Sequence, residues 1–446
     1  MAERRPHCRD KRSDATGIGN RNRTVLTISV RMARSSPTRR LIIGVTALAL
    51  ATVFRTSAAS PDVVRLRNVD GGPEYYSRFS NSLPSDPNYF PLGVWFESVV
   101  DSNANLDKDV GLNLYVGLTA DSSLSLVQKN GMRAILQQSE WRTNRTAINS
   151  PAVAGWELFD EIDMQQGPGK GDTTLKNILA QLPNDGRMRY NNLGKGVMFW
   201  ETDAQAERFV NGFQHVVSAD IYWFTDPNVS GSSEGGKVLN GGRSLTPTQT
   251  RRAANYGYTV DRMRAFDGLD GRLGPIWNFV EVGWPSSETA AQGARSIRPA
   301  EVQAAVWHSI IAGARGIIYF NHSFGGPNQS QHCLREPAYA AVRAAVKNTN
   351  QLVTQLAPVL NAPFADDFVS AGPSVRTMAK SHDNKYYVFA GSKENVASTP
   401  TFSLSDVDSG TATVIDENRA IPITNGRFSD NFADGNAIHI YRIDSQ

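Results

Sequence analysis

Three acidic residues stand close together at the end of an apolar segment, residues 155–163, which reads GWELFDEID. The acids are Asp160, Glu161 and Asp163. A continuous apolar run with aromatic residues is typical of a strand that is buried on both faces. Because buried carboxylates are costly unless they are paired or take part in chemistry, these residues are candidates for a reactive site.

A second acid has the same position relative to a later apolar run. The segment PIWNFVEVGWP places Glu281 at the end of a candidate strand. Two carboxyl groups are the minimum for retaining glycoside hydrolysis, since one protonates the leaving oxygen and the other attacks the anomeric carbon. This double displacement needs a separation of about 5–5.5 Å between the two groups. We assign Glu161 as the general acid/base and Glu281 as the nucleophile.

The elements that must position these residues alternate between strand and helix patterns. Short apolar runs typical of parallel strands occur at residues 90–97, 112–119, 132–138, 154–161, 195–201, 218–224, 275–281 and 315–321. Eight strand–helix repeats predict an α/β fold, a (β/α)8 TIM barrel over residues 88–361. A doubly wound open sheet is the competing architecture, but no glycine-rich turn follows the first strand. In a barrel, strands four and seven end at the same mouth, where reaction sites lie.

The pattern changes after residue 361 to short strand-like segments separated by turn residues. This predicts a small antiparallel β-sandwich over residues 362–446. The sandwich carries no cluster of catalytic residue types, so we assign it to support or substrate contact. Residues 61–87 are interpreted as a polar lead-in to the barrel.

The first sixty residues have the features of an N-terminal extension and a signal peptide. Arg39-Arg40, the apolar run LIIGVTALALATVF and the small residues SAAS follow in the order of a secretory signal at about residues 32–59. The segment TRRLII resembles a twin-arginine signal, and a start at Met32 gives a more usual charged region than a start at Met1. We expect a secreted or cell-envelope protein. An uncleaved N-terminal anchor is the alternative, and the only membrane contact expected.

The composition excludes several classes of partner. The net charge is +3, but many basic residues lie in the first forty positions, which argues against nucleic acid as a partner. Cys8 and Cys333 are the only cysteines, so no disulfide framework is expected. No cluster with metal-ligand spacing is found, and we expect neither a metal nor a cofactor. Eight Trp and thirteen Tyr suit an oligo- or polysaccharide substrate, although most can serve core packing.

This layout resembles the clan of retaining (β/α)8 glycoside hydrolases with catalytic glutamates on strands four and seven, the cellulase-like and β-galactosidase-like superfamily. The roles implied by the clan, acid/base on strand four and nucleophile on strand seven, match Glu161 and Glu281. ADIYWF is similar to the clan's strand six, which implies that Tyr222 hydrogen-bonds the nucleophile. RPAEVQAAVWHSIIAGARGIIYF is similar to helix seven and strand eight.

The resemblance covers nearly all of the chain after residue 88 and identifies no specific family. Many clan members have Asn immediately before the acid/base glutamate, whereas this chain has Asp160. The departure leaves the mechanism in place and the sugar preference open.

Further polar and aromatic residues at or beyond the strand ends are candidates for substrate contact. Rings there can stack on sugars or pack between barrel and helices, and acids can bind hydroxyl groups or pair with Arg and Lys at the rim. Trp284 is the preferred stacking platform, and Glu201 and Asp203 are reserves for the catalytic pair. The candidates are Asp160, Tyr222, Trp284, Trp95, Glu97, Trp200, Glu201 and His322.

Three functions fit these residues. An exported retaining glycosidase is the leading hypothesis. A non-catalytic glycan-binding protein on a decayed barrel would use the same acids only as hydrogen-bonding groups, and a transglycosidase would use them on an acceptor sugar. The glycine-rich segment 227–245 follows strand six on the catalytic side, where it is either a rim or lid over the site or a disordered insertion.

Overall fold

The computed structural model describes residues 64–143 and 145–445. Eight parallel strands pair in chain order and close into a barrel, which confirms the predicted TIM barrel. The predicted extension and signal segment, residues 1–60, lies outside the described residues. We number the strands barrel strands 1 to 8, with the bounds Leu92–Glu97, Leu114–Leu118, Arg133–Leu136, Val153–Asp160, Met188–Leu193, Val216–Ala219, Ile276–Glu281 and Ile317–Phe320.

Barrel strand 5 does not lie where the sequence predicted it. The strand is formed by MRYNNL at Met188–Leu193, and most of the predicted run 195–201 forms a turn of π-helix at Gly196–Trp200. Two asparagines and an arginine gave the true strand the appearance of a loop, yet the asparagines are buried inside the protein. The prediction was therefore wrong for this strand, and Trp200 and Glu201 follow a helical turn rather than a strand.

Helices of varied length connect the barrel strands and pack around them. No helix in residues 64–143 and 145–445 is long and apolar enough to cross a membrane. The α-helices are Pro73–Tyr76, Asn103–Asp109, Leu124–Lys129, Gln138–Thr143, Arg145–Asn149, Ile162–Gln165, Lys170–Leu179, Asp203–Asn211, Gly235–Leu239, Pro247–Thr250, Ala254–Asp267, Pro299–Ile311, Ala340–Gln355 and Ala357–Leu360.

The interior of the barrel is a packed core rather than a channel. Trp277 and Phe279 of barrel strand 7 point into it together with aliphatic residues of the other strands. The segment that precedes the barrel closes its N-terminal end, since the Tyr76 hydroxyl accepts a hydrogen bond from Trp277 Nε1 at 3.1 Å. The core thus supports the mouth from below.

A ten-stranded antiparallel sheet follows the barrel, consistent with the predicted β-sandwich. Its own apolar core contains Phe402, whose ring stacks on Phe428 at a centroid distance of 4.7 Å. One edge strand comes from the start of the described chain. The strand order is Arg65–Arg67, Phe364–Asp366, Val375–His382, Lys385–Ser392, Ile438–Ser445, Ser409–Val414, Arg419–Thr424, Arg427–Ser429, Thr401–Leu404 and Val369–Ser370.

The sheet packs against the helix Pro299–Ile311 of the barrel. The Trp307 ring stacks on Phe389 of the sheet at a centroid distance of 6.0 Å. At the same junction His308 is fully buried, and a Cβ atom added to Gly391 would lie 2.8 Å from its ring. Burial, followed by the charge of Arg376, lowers the pKa of His308 from 6.5 to about 3.

The lowered pKa of His308 predicts that acid destabilises the junction between the sheet and the barrel. Because the folded-state pKa is depressed below 6.5, the unfolded chain binds the proton first, and the free energy of unfolding falls as the pH drops from 6.5 towards 3. The contribution is on the order of 3–5 kcal/mol at the acid end. Denaturant unfolding of wild type and His308→Met between pH 7 and pH 4 measures it.

We expect the wild-type curve to fall more steeply with decreasing pH than the His308→Met curve. His308→Gln serves as a second variant in case methionine packs poorly, and His382→Gln controls for the loss of an imidazole elsewhere in the sheet. Parallel curves for wild type and both His308 variants would contradict the prediction.

Candidate active site

The end of barrel strand 4 is a sharp turn that carries Glu161. Its backbone is left-handed, with φ 52° and ψ 43°, and its N–H donates to the Asn192 carbonyl at 3.1 Å. A non-glycine residue in this conformation costs energy, and such residues cluster at functional sites. The turn separates Glu161 from the strand and begins the helix Ile162–Gln165.

Asp163 has a structural part in the same turn. Its carboxylate accepts hydrogen bonds from the backbone N–H groups of Gly194 at 3.0 Å and Val197 at 2.8 Å, and it is buried. A Cβ atom at Gly196 would lie 2.7 Å from Asp163 Oδ2, so this approach requires glycine. Asp163 therefore holds the loop after barrel strand 5 against the turn that carries Glu161.

Asp160 is fixed by barrel strand 5. Its Oδ1 accepts from Asn192 Nδ2 at 3.0 Å, and Asn192 Oδ1 in turn accepts from Ser218 Oγ at 2.7 Å. Burial raises the pKa of Asp160, and the hydrogen bond from Asn192 lowers it in part. The residue lies next to Glu161, and its charge is available to act on that neighbour.

Asp220, just beyond barrel strand 6, is a site residue that we did not predict. Its carboxyl group and that of Glu161 hydrogen-bond each other. Burial, and then the charge of Asp160, raises the pKa of Glu161, while burial and the charge of Glu161 raise the pKa of Asp220 well above its usual range. The two carboxyl groups together therefore retain a proton more readily than free acids.

Glu281 ends barrel strand 7 and is 0% exposed. The Tyr256 hydroxyl lies 2.7 Å from both carboxylate oxygens, and Thr225 Oγ1 donates to Oε1 at 2.9 Å. Burial raises the pKa of Glu281 to about 7, and the bonds from Tyr256 and Thr225 oppose that rise. The two donors favour the ionised form that a nucleophile requires.

Tyr222, just beyond barrel strand 6, does not hydrogen-bond Glu281 as the resemblance implied. Its buried hydroxyl has no hydrogen-bond partner among the described residues, and Tyr256 takes the implied role. After burial, the charges of Asp220, Glu161 and Glu281 raise the pKa of the Tyr222 phenol. Glu161 follows barrel strand 4 and Glu281 ends barrel strand 7, and the carboxyl ends of parallel strands in one closed barrel lie at the same mouth.

Glu97, which was predicted to contact substrate, has its partners within the protein. It is fully buried, and its carboxylate binds Arg335 Nη1 at 3.1 Å, His332 Nδ1 at 2.5 Å and Asn321 Nδ2 at 2.5 Å. Full burial and these partners direct the carboxylate to groups within the protein. Glu97 instead joins the end of barrel strand 1 to the loop after barrel strand 8.

The tryptophan candidates have three different environments. Trp95 packs inside the barrel against Phe279 at a centroid distance of 5.5 Å, which makes it a core residue rather than the predicted sugar platform. Trp284 is half-buried, and its Nε1 donates to the Glu288 carbonyl at 3.2 Å. Trp200 is 47% exposed, so its ring surface is available to a ligand.

Glu201 is buried beyond the π-helical turn, and neither of its carboxylate oxygens has a hydrogen-bond partner in the described chain. Burial, and then the charge of Asp163, raises the pKa of Glu201 to about 8. Glu201 is thus close enough to Asp163 for the charge of that residue to act on it.

His322 follows barrel strand 8 and lies in a group of aromatic rings. Its Nε2–H donates to the Phe96 carbonyl at 3.1 Å, and its ring centroid lies 5.2 Å from Phe320 and 5.8 Å from Phe324. Phe96 and Phe324 are 36% and 45% exposed. Sequence reasoning selected the histidine, but the exposed surface beside it belongs to the two phenylalanines.

The segment 227–245 is ordered, contrary to one of its two interpretations. It contains the helix Gly235–Leu239. Lys195 Nζ lies 2.6 Å from Asp226 and 2.8 Å from Glu234, and Lys237 Nζ donates to the Phe199 carbonyl at 2.5 Å. These contacts attach the segment to the loop after barrel strand 5, as expected for a rim of the mouth.

The described residues contain no group of three or more His, Cys, Asp or Glu side chains placed to hold a metal ion. The arrangement at the mouth is therefore one of carboxyl groups with hydroxyl donors. Two acids whose protonation states are set by different partners can divide general acid and nucleophilic chemistry between them.

Comparison with known proteins identifies the fold. No family model matches this sequence, and no curated protein matches it. A solved structure described as a glycoside hydrolase is 11% identical with a TM-score of 0.51, over 86% of this chain and 97% of its own. A glycoside hydrolase family 5 protein from Bacteroides vulgatus is 11% identical with a TM-score of 0.52, over 84% and 95%. The chain therefore shares the fold of glycoside hydrolase barrels.

Proposed function

We propose that the protein is an exported glycoside hydrolase that cleaves O-glycosidic bonds of an oligo- or polysaccharide by retaining double displacement. Glu161 acts as the general acid/base and Glu281 as the nucleophile. The observation that carries this proposal is the position of two buried acids with raised pKa values at the carboxyl ends of barrel strands 4 and 7, which open on the same mouth of the closed barrel. The fold shared with glycoside hydrolases supports the reaction class.

The surroundings of each acid suit its assigned role. Burial raises the pKa of Glu161 to about 7, so its carboxyl group can hold the proton that the leaving oxygen takes, while the hydrogen bond with Asp220 lowers the pKa of Glu161 in part and raises that of Asp220. Glu281 accepts from two hydroxyl groups, which stabilise its carboxylate. The leaving group takes its proton from the pair on barrel strands 4 and 6, while Glu281 attacks from barrel strand 7.

The complete burial of Glu281 sets a condition on this mechanism. A sugar carbon reaches the carboxylate only after the side chains that cover it move. The same burial favours the second candidate function, a glycan-binding protein in which Glu281 is a structural acid. Glycan affinity of the wild type without any hydrolysis or transfer would support that second function. Product analysis with an added acceptor sugar separates hydrolysis from transglycosylation.

Replacement of Glu281 by Gln should lower turnover by at least about 10³-fold, because the covalent intermediate cannot form. The measurement is hydrolysis of a panel of aryl glycosides and polysaccharides, with the exposed Glu74→Gln as the matched control. A fluorosugar inactivator should label Glu281 in the wild type, as read by peptide mass spectrometry. Full activity of Glu281→Gln would rule out the nucleophile role.

Replacement of Glu161 by Gln should affect substrates according to their leaving groups. Turnover of glycosides with poor leaving groups should fall steeply, while the first step with a dinitrophenyl leaving group needs no protonation and should persist. The alkaline fall in kcat/KM, which reports loss of the proton from the Glu161–Asp220 pair, should disappear with the activated substrate. Equal losses for both classes of leaving group would argue against the acid role.

Replacement of Tyr256 by Phe should move the acidic limb of the pH profile. Glu281 must be ionised, so activity rises as the pH increases through its pKa of about 7. Since the Tyr256 hydroxyl stabilises the ionised form, its removal should raise that pKa and shift the limb upward by about one to two pH units. The pH dependence of kcat/KM measures the shift, and an unmoved acidic limb would contradict it.

A further inference from the structure

A groove at the N-terminal end of the barrel, away from the mouth, has a volume of about 490 Å³. It is lined by residues at the start of barrel strands 5, 6 and 7 and by the segment that closes the barrel from below. Arg78, Arg189 and His215 form one basic side of the groove, which a third arginine, Arg272, also lines. Grooves of this size hold small molecules or ions in many proteins.

The hydrogen bonding of His215 leaves a donor on Arg189 without an acceptor. His215 Nδ1 lies 3.0 Å from the backbone nitrogen of Arg189, and Nε2 lies 3.0 Å from Arg189 Nη2. A neutral imidazole has one nitrogen that accepts and one that donates, so it cannot accept from both N–H groups. Arg189 Nε is also buried without a partner in the described chain.

The positive charge of the two guanidinium groups is not neutralised by an ion pair. Among residues 64–143 and 145–445, no carboxylate lies within 4.0 Å of either group. Arg78 lies over the Tyr75 ring at 3.7 Å from its centroid, and the Tyr75 hydroxyl donates to the His215 carbonyl at 2.5 Å. Burial, and then the charges of Arg189 and Arg78, lower the pKa of His215 to about 4.

The acids that line the groove have other partners. Asp70 and Asp267 both pair with Arg264, which lies 2.7 Å from Asp267 Oδ2, and Asp267 also accepts from the Gly274 N–H at 3.0 Å. Asp270 accepts from the backbone N–H of Arg272 at 2.8 Å. Because these acids pair with other groups, none of them forms an ion pair with Arg78 or Arg189, and an acceptor for these two arginines can come from a bound ligand.

We propose that this groove binds a tetrahedral oxyanion, phosphate or sulfate, either free or as the ester of a small molecule. The oxyanion would accept hydrogen bonds from the guanidinium of Arg189, which lacks a full set of acceptors, and would neutralise Arg78 beside it. Planar guanidinium groups match the oxygens of such anions in geometry as well as charge. The site lies apart from the carboxyl groups of the mouth and does not depend on the proposed glycosidase activity.

The experiment is isothermal titration calorimetry of the full chain with inorganic phosphate and with sulfate at constant ionic strength, with chloride as the reference. Wild type should bind phosphate saturably at one site. Arg189→Gln should weaken binding about ten- to a hundredfold, as expected for a lost charge-assisted hydrogen bond. Lys129→Gln, which removes one exposed charge from the helix Leu124–Lys129, should leave binding unchanged.

Arg78→Gln is the second variant, because Arg78 is exposed and its loss should not disturb folding. Thermal unfolding with and without phosphate verifies that each variant folds. A hexose phosphate that binds more tightly than inorganic phosphate would identify an ester as the ligand, whereas equal affinities would identify the free oxyanion. Unsaturable binding by the wild type, or wild-type affinity in folded Arg189→Gln and Arg78→Gln, would overturn the proposal.

Discussion

The burial of carboxyl groups at the carboxyl ends of the barrel strands is the constraint on which the mouth depends. Removal from water disfavours each charge, and the protein offsets this differently at each acid. Asp163 accepts hydrogen bonds from backbone N–H groups, and Glu281 accepts them from two hydroxyl groups. Glu161 shares a hydrogen bond with a second carboxyl group, that of Asp220. Buried carboxyl groups in one mouth thereby have three different kinds of hydrogen-bonding partner, which act differently on their pKa values.

The rigidity needed for this arrangement comes from both ends of the barrel. Below the mouth, Trp277 and Tyr76 belong to the packed core inside the barrel, and this core supports the strand ends. At the side, the sheet stacks Phe389 on Trp307 of the helix Pro299–Ile311. Around the mouth, Lys195 forms ion pairs with Asp226 and with Glu234 of the segment 227–245. Carboxyl groups with raised pKa values persist only where such surroundings prevent them from turning towards water.

Much of the fold could be predicted from sequence, because parallel strands buried on both faces have a recognisable apolar pattern. The pattern failed at Met188–Leu193, where buried polar side chains bind polar partners on the neighbouring strands, as Asn192 binds Asp160 and Ser218. Glu161 and Glu281 were predictable because a strand end fixes their position, and Asp220 has the same signal at barrel strand 6. Tyr256 could not be predicted, since it reaches Glu281 from a helix through tertiary packing alone.

The strand order of the C-terminal sheet has a consequence for biosynthesis. Ile438–Ser445, the last strand to leave the ribosome among those described, lies in the middle of the sheet between Lys385–Ser392 and Ser409–Val414. The first to leave, Arg65–Arg67, pairs with Phe364–Asp366 at one edge. Until translation reaches residue 445, two strands of the sheet have open edges, which are prone to pair with other chains. A nascent chain would therefore need protection from aggregation at this late stage, even though its barrel has already been synthesised.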